Sequence, residues 1–131
     1  MKSFNLILAA ILVPLMVVFT GCGAENVRNV SNAPVQTSSK SISLDKVTKA
    51  IQSAGSTLGW SVRLVKPGHI DATIHLRKHM AKVAIKYSTK SYSITYVDSE
   101  NLNYDGTVIH KNYNGWIINL DSGIKQRLSV L

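Results

Sequence analysis

Four histidines, seven carboxylates and fifteen basic side chains are the groups in this 131-residue chain that could ligate, bind or move protons. The densest polar run lies between Asp98 and Asn114. Asp98, Ser99, Asn101, His110, Asn112, Tyr113 and Asn114 gather around one expected loop–helix junction. Polar residues so closely spaced form either a capping network or a small polar pocket for a ligand or peptide. His110 is the candidate general base of this cluster, although a histidine there also serves simply as a partner to the adjacent loop. The segment Asp98–Gly106 offers hard oxygen donors of the kind calcium takes. Asn103 and Ile109 stand where an EF-hand needs Gly and Glu, so that pattern fails.

Two further groups have chemical potential. His69, Asp71, His75 and His79 share one parity, hence one face, if they lie on one strand. A metal needs donors within about 2.0–2.2 Å, and residues four apart on a strand are roughly 13 Å apart. Turn or surface histidines are therefore expected, with no metal and no cofactor. The second group is basic. Alternation places Arg63, Arg77, Lys82 and Lys86 on the face opposite a core, with Asp71 the acid among them. Such a face is either a solvated sheet surface whose lysines discourage edge pairing, or a dock for anionic lipid, an envelope polymer or an acidic protein. No aromatic platform accompanies these charges, so nucleic acid is not expected. GxSxG, HExxH and P-loop patterns are absent from the sequence, and no enzyme is expected.

The single cysteine excludes an internal disulfide and gains meaning from what precedes it. Lys2 supplies a positive start, and Leu6–Phe19 is an unbroken apolar run containing Pro14. The run suits the apolar region of a signal peptide and falls short of the about 20 residues that span a bilayer. It ends in Phe19-Thr20-Gly21-Cys22, which resembles a bacterial lipobox. The expectation is a lipoprotein signal peptide over 1–21 and a Cys22 acylated, palmitate included, as a lipid anchor. Several acyl chains make such an anchor stable where one is marginal. Gly23 rather than Asp follows the cysteine, which by resemblance to Gram-negative lipoproteins favours the outer membrane, facing the periplasm. Residues 22–41, rich in Ser and Asn, read as the lipidated cysteine and a flexible tether with a reach of roughly 25 Å.

Residues 42–131 read as a small α+β domain. Leu44, Val47, Ile51, Ala54 and Leu58 form one helical stripe, with Ser43 as N-cap and Gly59 just past the end. The period then falls to two through Trp60–Leu64, Ile70–Leu76, Ala81–Tyr87 and Tyr92–Tyr96, with a turn at Pro67-Gly68. Helical spacing returns at Ile109, Tyr113, Trp116, Leu120, Ile124 and Leu128, with a bend expected near Asp121-Ser122-Gly123. The expected fold is α-β-β-β-β-α, a four-stranded antiparallel meander with both helices packed on one face.

Gly59-Trp60, Pro67-Gly68-His69-Ile70, the strand at 79–87, YSITYVDSENLNY (92–104) and IHKNYNGWIINL (109–120) together resemble a family of small bacterial lipoproteins with no assigned activity. Gly115 departs from that pattern, where a longer polar residue is expected before the tryptophan. The resemblance implies an envelope location and a compact α+β domain, and it transfers no catalytic residue. The leading expectation is a non-enzymatic binding or interaction domain held at the membrane by Cys22, with an envelope protein or anionic polymer as partner. A ligand- or peptide-binding module at 98–114 comes second, and a small envelope hydrolase last.

Overall fold

The computed structural model describes residues 23–131, so the signal-peptide reading of 1–21 and the acylation of Cys22 lie outside the described residues. The chain runs β1 (Ala24–Asn26), β2 (Val30–Pro34), α1 (Leu44–Thr57), β3 (Ser61–Lys66), β4 (His69–Leu76), β5 (His79–Tyr87), β6 (Ser91–Glu100), β7 (Val108–His110) and α2 (Lys111–Ser129). It is an α+β fold with two helices and antiparallel strand pairing.

The meander expected from the alternating segments is present as β3, β4, β5 and β6, paired in sequence order. The expected strand count is corrected, because β2 adds a fifth strand beside β6. The segment read as a flexible tether is therefore largely built into the domain. Val27, Val30, Ala33 and Val35 pack against the core. Their period was hidden by a register shift between Val30 and Ala33, where Asn32 takes a φ of 50°. Asn29 fixes the join, its side-chain oxygen accepting the Tyr96 amide at 2.9 Å. β1 pairs separately with β7.

Helix α1 begins at Ser43, whose hydroxyl accepts the Lys46 amide at 3.3 Å. It ends at Leu58, followed by Gly59 at a φ of 90°, a conformation glycine adopts without strain. Its buried face carries Val47, Ala50, Ile51 and Ala54. Thr48 joins it to the sheet through a 2.6 Å hydrogen bond with the Tyr87 hydroxyl. The turn between β3 and β4 needs Gly68 twice over. Its φ is 83°, and a Cβ there would lie 2.9 Å from the Tyr87 carbonyl oxygen.

Helix α2 is continuous through Asp121-Ser122-Gly123, with no break there. Gly123 instead permits a close approach of the two helices: a Cβ there would meet Leu58 Cδ1 at 3.2 Å. Asp121 accepts the Tyr92 hydroxyl from β6 and the Lys125 ammonium at 2.9 Å. The inward face of the sheet and both helices share one core, centred on Ile70, Val83, Ile94, Ile117, Leu120 and Ile124. Ile117, not Trp116, takes the fully buried position at that level of α2, and Trp116 is half-buried on its flank. A register shift opposite Lys82 and Val83 turns Val97 outward and brings Tyr96 and Ser99 to one side of β6.

Candidate functional site

The structure divides the expected 98–114 cluster into three parts. Asn114 is buried and satisfied by the N-terminal segment. Its Nδ2 donates to the Asn26 carbonyl at 2.9 Å and to Glu25 Oε2 at 3.1 Å, while its Oδ1 accepts the Arg28 amide at 2.9 Å. It closes the end of β1 against α2, and its amide hydrogen bonds all go to that segment. Tyr113 points into the core, wholly buried, with its ring edge-on to Tyr96 at 5.7 Å. Its hydroxyl has no hydrogen-bond partner among the described residues, and burial, then the neighbouring Tyr96 and Tyr104, push its pKa up.

The second part is the loop from Asp98 to Gly106. Asp98 accepts the following Ser99 amide at 2.8 Å. Asn101, at a φ of 58°, reaches the turn between β4 and β5, donating from Nδ2 to the Lys78 carbonyl at 2.6 Å. Asp105 caps its own turn by accepting the amides of Thr107 at 2.9 Å and Val108 at 2.8 Å. Those two amides hold the Asp105 carboxyl below the usual aspartate range. The outer side of this loop forms a shallow polar groove of about 450 Å³, lined by Tyr96, Asp98, Ser99, Asn101, Leu102, Asn103 and Tyr104.

The third part joins histidines that the sequence had kept apart. His79 does not continue the β4 face; it opens β5, opposite Leu76. That corrects the shared-face reading of His69, Asp71, His75 and His79. The His79 ring stacks near His110 at 6.2 Å and lies 6.4 Å from Trp116. Hydrogen bonds fix the tautomers. The Asn101 carbonyl can only accept, so His79 Nδ1 donates to it, at 2.8 Å. The Asn112 amide can only donate, so His110 Nδ1 accepts it, at 3.1 Å, and acts as the N-cap of α2. Neutral His110 then carries its proton on Nε2 and has no free lone pair with which to serve as the general base. Asn112 itself is exposed, and its part in the cap is its backbone amide.

The basic face is also rearranged. Arg63 and Lys82 both approach Asp71 from neighbouring strands, at 2.8 Å and 3.7 Å, and His69 Nε2 lies 3.1 Å from its other oxygen. One carboxylate thus offsets a single positive charge at the centre of the expected basic surface. Lys86 is exposed, opposite His69 in register. Arg77 departs from the expectation: it sits in the turn after β4 at a φ of 56°, not on the open face. Positive φ breaks the alternation on which its placement rested.

Among the described residues, no group of three or more His, Cys, Asp or Glu is placed to hold a metal ion, and no helix is long and apolar enough to cross a membrane. No signal in the spacing pointed to the His79–His110–Trp116 grouping, because β5 and the start of α2 meet only through the fold. The capping use of His110 had one trace, a hydrogen-bonding side chain just before the helical period resumes. Compared with protein-family models, curated proteins and solved structures, the chain matches nothing.

Proposed function

We propose that this is a lipid-anchored protein of the bacterial cell envelope, whose α+β domain acts as a non-enzymatic binding or interaction module at the membrane surface. In a Gram-negative host its place is the outer membrane, facing the periplasm. The observation that carries this reading is the order Lys2, Leu6–Phe19, Thr20-Gly21-Cys22: a positive start, an apolar run too short to span, and small residues before the sole cysteine. The engagement of the Asn114 side chain and of His110 Nδ1 in the local framework supports a role other than catalysis. Metabolic labelling with palmitate tests the anchor. Label in the wild-type chain that disappears in Cys22→Ser supports it, and label that persists in that variant refutes it.

A second reading keeps the polar groove beside Tyr96 and Tyr104 as a binding site for a small ligand or peptide. Those two rings, tilted by 36° with centroids 4.0 Å apart, give the groove an aromatic wall beside Asp98 and Asn101. Asp98→Ala should weaken such a ligand, whereas reversal of Lys82 and Lys86 should leave it unchanged and weaken an anionic partner.

A further inference from the structure

The N-terminal segment does not behave as a leash. The carbonyl of Gly23 accepts the Lys111 amide at 2.7 Å, and Ala24 pairs with His110 in register. The Val27 amide then donates to the Thr107 carbonyl at 2.9 Å, and Asn114 grips the residues between. Gly23, the residue covalently bonded to Cys22, is thus already held in the fold. Consecutive Cα atoms are about 3.8 Å apart, so an anchor on Cys22 keeps this end of the domain close to the bilayer. The tether expected from composition would have let any face meet the bilayer; a one-residue link selects one end.

That end suits an interface. Around the start of α2, a shallow notch of about 430 Å³ lies over Gly115, flanked by Trp116, Ile118 and Lys111. Ile118 is 45% exposed and Trp116 is half-buried. The His79 contact brings the turn carrying Lys78 to the same end. An exposed aliphatic side chain, a tryptophan at the edge and flanking lysines are what the boundary between headgroups and acyl chains accommodates. The opposite end of the sheet, at the turn holding Lys90, is separated by the length of β5, nine residues, or about 25–30 Å.

We infer that the α2 N-terminal end of the domain lies against the bilayer that holds the acyl chains, with Trp116 and Ile118 at the interface and Lys78 and Lys111 at anionic headgroups. The inference rests on the acylation of Cys22 proposed above. It also assigns an outward direction: the turn with Lys90 and the far end of the sheet face away from the membrane, toward any partner.

The test uses the full chain, acylated in a bacterial host and reconstituted into vesicles of phosphatidylethanolamine and phosphatidylglycerol. Flotation is followed by a membrane-impermeant amine reagent and mass spectrometry of each lysine. Lys78, Lys90 and Lys111 are all exposed on the domain, so Lys90 is the internal reference. The expected result is flotation with Lys78 and Lys111 labelled several-fold more slowly than Lys90. Doxyl lipid labelled near the headgroup should also quench the fluorescence that Trp116→Phe removes, leaving that of Trp60, which is 4% exposed. Flotation with even labelling and no quenching overturns the orientation and leaves the anchor standing. Failure to float, with Cys22 unmodified, overturns the anchor and the orientation together.

Discussion

The side chain of Asn114, in the first turns of α2, holds the backbone of Asn26 and Arg28 with hydrogen bonds of 2.9 Å each. A helix residue thereby fixes a strand far upstream in the chain. Asn114→Ala would leave a half-buried carbonyl and amide unpaired, costing about 2–3 kcal/mol. The expected signs are a lower melting temperature and faster hydrogen exchange at Val27 and Lys111. Unchanged exchange at those two amides would show that the segment holds by β1–β7 pairing alone.

Glycines in the two helices should respond in opposite directions. At Gly55 a Cβ would lie 2.8 Å from Val62 Cγ2, a stiff side chain, so Gly55→Ala should destabilise by about 1–3 kcal/mol. At Gly115 nothing lies within 4 Å, and Gly115→Ala should stabilise by up to about 1 kcal/mol through helix propensity. Denaturant midpoints of the two variants check both signs.

Tyrosine ionisation should set the alkaline limit. Burial raises the pKa of Tyr92 and of Tyr113 above the usual 10.0; the Asp121 hydrogen bond adds to it for Tyr92. The folded state therefore holds these protons more tightly than the unfolded chain. Their contribution is complete below pH 10 and is lost as pH rises beyond it. Tyrosinate absorbance should show two late-titrating rings that ionise only with unfolding. Asp105 works in the opposite sense, its lowered pKa giving a contribution kept above pH 3.8 and lost as acid protonates it.

Asp71 should matter more to charge than to stability. Arg63 at its side is largely exposed, so Asp71→Asn should change stability by no more than about 1 kcal/mol. The same change frees Arg63 and Lys82 and should raise retention on an immobilised polyanion, most strongly at low salt. Equal retention by both forms would mean that the open face carries no usable field.

The meander, the Ser43 cap and the Pro67-Gly68 turn were legible because each is written in neighbouring residues. The fifth strand was not. Val30 and Ala33 are its apolar marks, and the bulge at Asn32 breaks their alternation among serines and asparagines. The candidate cluster was legible as a set of polar residues and not as an arrangement. Asn114 and Tyr113 are adjacent in sequence yet face different surroundings, one against β1 and one in the core. Helical geometry alone separates them by about 100°. The contact of His79 with Trp116 depends on how β5 meets α2, which no local period encodes.

The most direct measurement of the central claim is the mass of the N-terminal peptide of the protein recovered from the membrane fraction. The account predicts a peptide that begins at Cys22 and carries a diacylglyceryl group and an amide-linked fatty acid. A chain still bearing Gly21, or a Cys22 with an unmodified thiol, would contradict it.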